Sequence, residues 1–271
     1  MRRSILISLS ILLAGVCHAA DLQEILKRGT AAIQSDWAAD PLYACVQRDE
    51  THKDSKITSK TSEVVMIEGS DYSMPLAVDD QPLSPERQKA ELIKLRDEVQ
   101  KRKRESPSER ERRIAAFKKQ RDENGELLLG FPQAFIFQVT GEDTKNGYSA
   151  YVLSAAPKAR TGSVTRAQKV LSGMEGTAWI EKNGSHAISV DVHVVRPVPV
   201  FGMLATVLPG TEIEFGMAPV TDSVWLVNEV SMNLEVSKLH MFKSAQVTRT
   251  TYTQYRLNSQ VLEELLAKAG T

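Results

Sequence analysis

Apolar runs long enough to cross a membrane are missing from this chain of 271 residues. The longest run, at positions 5–16, has about a dozen apolar residues, whereas a membrane-spanning helix needs about 20. Two arginines precede this run, and the small residues Cys17 and Ala19 follow it at the positions that a signal peptidase recognises. The sequence therefore predicts a signal peptide over residues 1–19 and an exported, periplasmic protein.

Cysteine is almost absent, because only Cys17 and Cys45 occur in the chain. Removal of the signal leaves Cys45 alone, which excludes an internal disulfide. The segment around Cys45 alternates like a strand and offers no basic neighbour that would stabilise a thiolate, so we expect a small buried side chain. A disulfide to a second molecule is the alternative for Cys45.

Cys17 would carry a lipid anchor if the signal were of the lipoprotein type. That type places a small residue directly before the cysteine, and Val16 departs from the pattern. A freely exported protein is therefore the favoured prediction, and a lipid-anchored envelope protein is the alternative.

Net charge is also lacking, since 34 Lys and Arg balance 34 Asp and Glu. Nucleic-acid-binding proteins carry a basic surplus, so this class is excluded as the main function. The chain has no G-x-S-x-G, no H-E-x-x-H, no P-loop and no dinucleotide-binding fingerprint. We therefore expect a non-enzymatic protein without a cofactor.

Candidates for a metal or catalytic site are few. Asp191 and His193 alternate along one predicted strand and share a face, with His186 upstream, but no Cys or Glu cluster completes a ligand set. Glu212 and Glu214 also share a face, which is typical of a wet strand surface. The sequence therefore predicts no metal site and no catalytic residue, and a hydrolase with an unrecognised site is the alternative.

The feature that dominates the chain is a long alternation of apolar and polar residues over positions 133–256, which we name the ladder. Runs with a period of two, interrupted by Gly, Asn and Pro, predict consecutive antiparallel strands, with hairpins at Asn146-Gly147 and Asn183-Gly184. Residues 22–37 predict a first helix, and two or three strands follow Pro41. A short helix over residues 259–268 closes the chain.

Residues 84–124 differ in kind, because they contain 14 Lys and Arg and 9 Asp and Glu. Ser84 before Pro85 predicts a helix start, Ser106-Pro107 predicts a break, and Asn124-Gly125 predicts the end of a second helix. We expect a helical hairpin whose mostly polar residues can be deleted without loss of the sheet. Its candidate contacts to a partner or membrane surface are Arg102, Lys103, Arg104, Arg110, Arg112 and Arg113, and a merely solvated face is the alternative.

Four stretches of the ladder carry a family resemblance: GYSAYVL at residues 147–153, GTAWIE at 176–181, VWL at 224–226 and TYTQYR at 251–256. Together they resemble outer-membrane lipoprotein-sorting and carrier proteins, and the envelope-stress regulators that share their fold. The resemblance implies a mainly β (α+β) fold, a twisted antiparallel open half-barrel with covering helices. It also implies that acyl chains or lipoproteins are held between sheet and helices. The charged hairpin departs from the carriers.

The segment over residues 194–208 is the candidate lining or lid of such a cavity, because it is apolar, broken by Pro and mobile at Gly202. A core crossover with a short buried helix is the alternative for this segment, and a structural role is the alternative for the two tryptophans below. The candidate ligand contacts are Val200, Phe201, Met203, Leu204, Val207, Trp179 and Trp225.

The sequence therefore predicts one domain over residues 20–271, with the charged hairpin inserted at residues 84–124. We expect it to bind a lipid, an acyl chain or a lipidated protein. The alternative is an interaction module that docks an envelope protein or an anionic membrane surface through the hairpin. The sequence leaves the oligomeric state open.

Overall fold

The computed structural model describes the backbone of residues 14–53, 55–158, 170–200, 205–238 and 242–270. Four long helices lie in these ranges, namely α1 (Ala14–Ala39), α2 (Pro85–Lys103), α3 (Pro107–Ala134) and α4 (Asn258–Gly270). The strands are β1 (Tyr43–Lys53), β2 (Lys56–Ile67), β3 (Ser70–Val78), β4 (Gln81–Pro82), β5 (Phe135–Lys145), β6 (Tyr148–Pro157), β7 (Met174–Glu181), β8 (Ala187–Val194), β9 (Val198–Val200), β10 (Ala205–Val207), β11 (Glu212–Thr221), β12 (Val224–Lys238) and β13 (Phe242–Leu257).

Across the described residues, thirteen strands form one antiparallel sheet with the order β4-β3-β2-β1-β13-β12-β11-β8-β7-β6-β5. The short strands β9 and β10 extend from β12 beside this path. Strands β4 and β5 are the two edges, so the sheet is open and not a closed barrel. The predicted open antiparallel sheet with covering helices is confirmed.

The turns follow the chemistry of their residues. Asn146 and Gly147 both have positive φ, 53° and 86°, which is the conformation that a two-residue hairpin loop requires. The hairpin predicted at this position is therefore confirmed. Asp79 and Asp80 also adopt positive φ between β3 and β4.

The register across the sheet separates two faces. One row of directly opposed residues runs Val192, Ile213, Met232, Thr248 and Thr51, and the next runs Val190, Phe215, Val230, Thr250 and Asp49. Opposed residues of neighbouring strands point to the same side. We name this side the inner face, because α1 packs against it. The other side, the outer face, carries Glu229, Arg249, Arg48 and Glu50.

The inner face holds the larger core. The α1 residues Leu22, Ile25 and Leu26 recur at helical spacing and pack onto β5 to β8, where Phe135 and Leu153 are each 1% exposed. Val198 of β9 is buried in the same cluster. Helix α1 therefore covers the inner face over β5 to β8.

A second core lies on the outer face of β1 to β3, beneath α2 and α4. Leu95 of α2 and Val261 of α4 are fully buried against Val65 and Ile67 of β2. Ala44, Met74, Val99 and Leu265 complete this cluster. The charged helix α2 therefore has a buried apolar side.

Glu63 lies beside this second core, and we expect it to make the stability of the fold depend on pH. The side chain is only 7% exposed, and burial raises its pKa although Arg256 and Lys268 oppose the shift. A carboxyl whose pKa is higher in the folded than in the unfolded chain destabilises the fold as the pH rises through the folded pKa.

We expect Glu63→Gln to unfold at higher urea than the wild type at pH 7. The difference should vanish below about pH 4, where the unfolded glutamate is itself protonated. Urea titrations at both pH values measure the effect, and Glu263→Gln, an exposed position of α4, is the matched control. A difference independent of pH, or equal in the control, would contradict the role of Glu63.

Helix α3 is longer than predicted. The capping box at its start is present, since Ser106 Oγ accepts from Glu109 N and the Glu109 carboxylate accepts from Ser106 N. The predicted end at Asn124-Gly125 is wrong, because α3 continues to Ala134. At Gly125 a Cβ would lie 3.2 Å from the Trp37 ring, so the glycine provides the space for α1 to pack against α3.

The extension of α3 moves the start of the ladder. Strand β5 begins at Phe135, so Gln133 and Ala134, which the alternation includes, belong to the last turn of the helix. The first helix also differs, since α1 begins at Ala14 and not near Leu22. Among the described residues, no helix combines the length and the apolarity that a bilayer crossing requires.

Candidate apolar binding face

Four apolar side chains continue the inner face beyond α1. Phe215 of β11 and Val230, Met232 and Leu234 of β12 are half-buried and lie on the same side as the α1 core. None of the three core clusters of described residues includes these four. They form an apolar strip, which we define by these four residues, next to a buried core.

Polar residues border the apolar strip on its other side. Thr248 and Thr250 of β13 and Asp49 of β1 carry the same rows onward, and Gln47 lies two residues from Asp49 on the same face. Thr250 Oγ1 donates to Asp49 Oδ1 at 2.9 Å, and Gln47 Nε2 donates to the same carboxylate at 2.9 Å. The inner face therefore changes from apolar side chains on β12 to hydrogen-bonding side chains on the neighbouring strand β13. Such a boundary suits an amphiphilic ligand.

The end of this polar region nearest the start of β1 contains the buried Cys45 and the half-buried Tyr252 and Tyr255. Burial raises the pKa of the Cys45 thiol to about 12, and Asp40 and Glu63 add to the shift. Burial likewise raises the pKa of Tyr252 to about 12, and Tyr255 Oη donates to the Val227 carbonyl at 2.6 Å. Cys45 is free and buried, as predicted, and stays protonated at neutral pH.

The predicted lid is described only in part. Val198 is buried and Val207 is half-buried, and both pack into the inner core, with β9 and β10 pairing between them. Phe201, Met203 and Leu204 lie outside the described residues, and of Val200 only the backbone is described. The role of this segment as a lining or lid stays a prediction.

The two tryptophans contact side chains of the protein itself. The Trp225 ring is 7% exposed, stacks on His186 at 5.5 Å and meets Tyr148 at 4.8 Å. Trp179 Nε1 donates to Asp143 at 3.4 Å, and Lys145 Nζ lies 4.4 Å from its ring centroid. Such contacts within the protein agree with the alternative prediction, a structural role for both tryptophans. A ligand contact by either ring stays a prediction.

Asp36 of α1 joins the Trp225 group to the helix. Its carboxylate bonds to His186 Nδ1 at 2.8 Å and accepts from the Trp225 backbone N–H at 3.0 Å. His186 is therefore held by Asp36 and not by Asp191, and it does not combine with His193. His193 instead lies opposite Glu212 on the outer face. Among the described residues, no three His, Cys, Asp or Glu side chains converge as metal ligands.

Arg102 is not a surface residue, which corrects the sequence prediction. Its side chain is buried, and its guanidinium donates to the carbonyls of Ile67 at 3.0 Å, Ser70 at 2.9 Å and Asp71 at 3.2 Å. Its Nε donates to Glu98 at 2.8 Å. A buried guanidinium is stable when each N–H finds an acceptor, and here the β2–β3 turn supplies them.

Arg113 has a similar structural part. It pairs with Glu105 at 2.7 Å, donates to Ser70 Oγ at 2.8 Å and donates to the Glu68 carbonyl at 3.1 Å. The remaining candidates differ, since Lys103, Arg104 and Arg112 are exposed and Arg110 is half-buried near Glu68. The connection between α2 and α3 is thus anchored to the sheet, and three of the six predicted contact residues of the hairpin face solvent.

The apolar strip is the functional candidate that sequence reasoning did not name. Its signal was present, because Phe215 and Val230, Met232 and Leu234 occupy the apolar positions of two alternating strands. Alternation alone does not tell which face lies beneath α1. The register with Val190 and Val192 provides that information.

Comparisons with known proteins give similarity in structure only. No family model and no curated protein matches the sequence. A domain described as an outer membrane lipoprotein-sorting protein from Vibrio parahaemolyticus is 11% identical over 88% of this chain and 99% of its own, with a TM-score of 0.35. A LolA-superfamily protein from Nitrosomonas europaea is 11% identical over 87% of this chain and 92% of its own, with a TM-score of 0.33.

A chain of the MucA/MucB complex from Pseudomonas aeruginosa is also similar, at 11% identity over 91% of this chain and 97% of its own, with a TM-score of 0.24. The resemblance that the sequence indicated is thus found again among solved structures. The identities and TM-scores are too low to transfer a function.

Proposed function

We propose that this protein binds a lipid, an acyl chain or a lipidated protein against its inner face. The apolar strip of Phe215, Val230, Met232 and Leu234 is the observation that carries the proposal. It presents half-exposed apolar side chains on a sheet whose neighbouring surface is already covered by α1. A group of partly exposed apolar side chains on one face of a sheet supports a binding surface.

The polar border supports an amphiphilic ligand over a purely apolar one. A chain on the strip would place its polar end toward Thr250, Asp49 and Gln47. Burial of each CH₂ group contributes about 0.8 kcal/mol, so ten groups contribute on the order of 8 kcal/mol before the entropic cost of binding. A shallow face therefore suffices for useful affinity.

The proposed role is non-enzymatic and periplasmic. It requires no cofactor, and the ligand would be held and released without covalent change. Removal of the signal over residues 1–19 would precede this role.

Binding of a fluorescent fatty acid such as cis-parinaric acid tests the proposal. We expect the mature protein to bind it, and Met232→Glu to weaken binding at least tenfold, because a carboxylate on the strip must be desolvated beneath the chain. Ser231→Glu places the same charge on the outer face, one residue away, and is expected to bind like the wild type.

Two further measurements sharpen this test. Thermal melting of each variant separates lost binding from lost folding. Native mass spectrometry of protein purified from a bacterial periplasm without detergent shows whether a lipid-sized mass is retained. Absence of binding by the wild type, or equal binding by Met232→Glu and the wild type, would contradict the proposal.

A further inference from the structure

One end of the sheet carries two exposed leucines. Leu42 is 62% exposed and directly precedes β1, and Leu257 is 47% exposed and ends β13. Tyr43 lies opposite Leu257 in the register, so Leu42 directly precedes the residue that faces Leu257. We name this end of the sheet the near rim, where β1 and β3 begin and β2 and β13 end. Exposed large apolar side chains side by side mark a contact surface.

The connection between α2 and α3 lies at the same rim. Arg102 and Arg113 fasten it to residues 67–71 of the β2–β3 turn. Strands β13, β1 and β2 are adjacent, and neighbouring strands are about 4.8 Å apart. The leucines and the helix connection therefore lie on one continuous edge of the molecule.

The helix connection carries a surplus of positive charge. Residues 101–113 contain seven basic and three acidic residues. Glu105 pairs with Arg113, and Glu109 caps the start of α3. Lys103, Arg104 and Arg112 are exposed, and within the described part of the chain no ion pair involves them. These three exposed cations can meet an external anion, and Arg112 also acts on Glu109, whose pKa its positive charge helps to lower.

We propose that the near rim docks onto an anionic bilayer surface, with the two leucines entering the headgroup boundary and the three cations contacting the lipid headgroups. Paired apolar and basic residues on one edge are the combination that binds such a surface. The proposal stands on residues other than the apolar strip, so it does not depend on lipid binding by the inner face.

A lipid surface is favoured over an acidic protein by the form of the site. The three cations lie near the facing ends of α2 and α3, on the same rim as the two exposed leucines. The cations are not grouped around a pocket. Each cation near an anionic surface is expected to raise affinity about fivefold, and salt is expected to reduce the effect.

Cosedimentation of the mature protein with vesicles tests the proposal. We expect binding to vesicles of 30% phosphatidylglycerol in phosphatidylcholine at 50 mM NaCl, and at least a tenfold loss at 300 mM NaCl or with pure phosphatidylcholine. The double variants Lys103→Glu/Arg104→Glu and Leu42→Ser/Leu257→Ser are each expected to lose at least tenfold. All four positions are exposed, so the melting temperature should not change.

The opposite end of the sheet supplies matched controls. Lys53→Glu/Lys56→Glu reverses two exposed lysines there, and Ile57→Ser/Val247→Ser removes two exposed apolar side chains. Both controls are expected to bind vesicles like the wild type. Absence of vesicle binding by the wild type, equal losses in the controls, or binding only to a soluble acidic polymer such as polyglutamate would overturn the proposal. Parinaric-acid binding is measured separately. Failure of vesicle docking can therefore be told apart from failure of lipid binding by the inner face.

Discussion

Replacement of Leu95 by alanine is expected to lower the free energy of unfolding by about 2–5 kcal/mol. Leu95 is 0% exposed and packs with Val65, Ile67 and Val261 in the outer core. Removal of its side chain leaves a cavity between α2, α4 and the sheet, which the two rigid helices cannot refill. Urea unfolding of the mature protein, followed by circular dichroism, measures the loss.

Gln100→Ala is the matched control for Leu95→Ala. Gln100 is exposed on the same helix, so its replacement is expected to change stability by no more than about 0.5 kcal/mol. The same argument reverses the expectation that residues 84–124 can be deleted without loss of the sheet. Their deletion removes Leu95 and Val99 from the outer core, and we expect a molten or insoluble product. Equal effects of Leu95→Ala and Gln100→Ala on stability would contradict the role of α2 in the outer core.

Arg102→Met is the second replacement with a large expected effect, a loss of about 3 kcal/mol of stability. Methionine keeps the apolar stem but removes every donor. The carbonyls of Ile67 and Ser70 would then each lose the hydrogen bond from the guanidinium, and a hydrogen bond to a charged group contributes about 1.5–3 kcal/mol. Glu98 would lose one of its two cations and keep Lys101.

Arg104→Met separates this anchoring role from a general loss of charge. Arg104 is two residues away and exposed, so its replacement is expected to leave the unfolding free energy nearly unchanged. Hydrogen exchange gives a second measure, since loss of Arg102 should speed exchange in residues 67–71 of the β2–β3 turn. Unchanged exchange there, with stability equal to that of Arg104→Met, would contradict the anchoring role.

The ladder could be predicted from the sequence because its information is local. Alternation with a period of two shows in β5 to β8 and in β11 to β13, and Asn146-Gly147 encodes its own turn. The ends of α2 were likewise predictable, since Ser84, Pro85 and Ser106-Pro107 act on the backbone next to them.

The contacts that escaped prediction are those between distant residues. From the sequence, Gly125 predicts the end of a helix. In the structure it provides the space that Trp37 of α1 occupies. Arg102 reads as one more surface cation in a basic run until its acceptors, 31 to 35 positions earlier, are known. The apolar strip required the register of four strands. Charge and alternation show which residues prefer water, and only packing shows which of them reach it.

The pairing of β1 with β13 has a consequence for the order in which the protein folds. Asp49 and Thr250, which touch at the centre of the sheet, are 201 positions apart in the chain. In the described part of the sheet, strands β1 to β4 are joined to strands β5 to β12 through β13, which follows both groups in the chain. Contacts of such long range slow folding, and each partial sheet keeps an unpaired edge until β13 is available. We expect chains truncated before β13 to aggregate, and a newly made chain to need protection until its final strand is available.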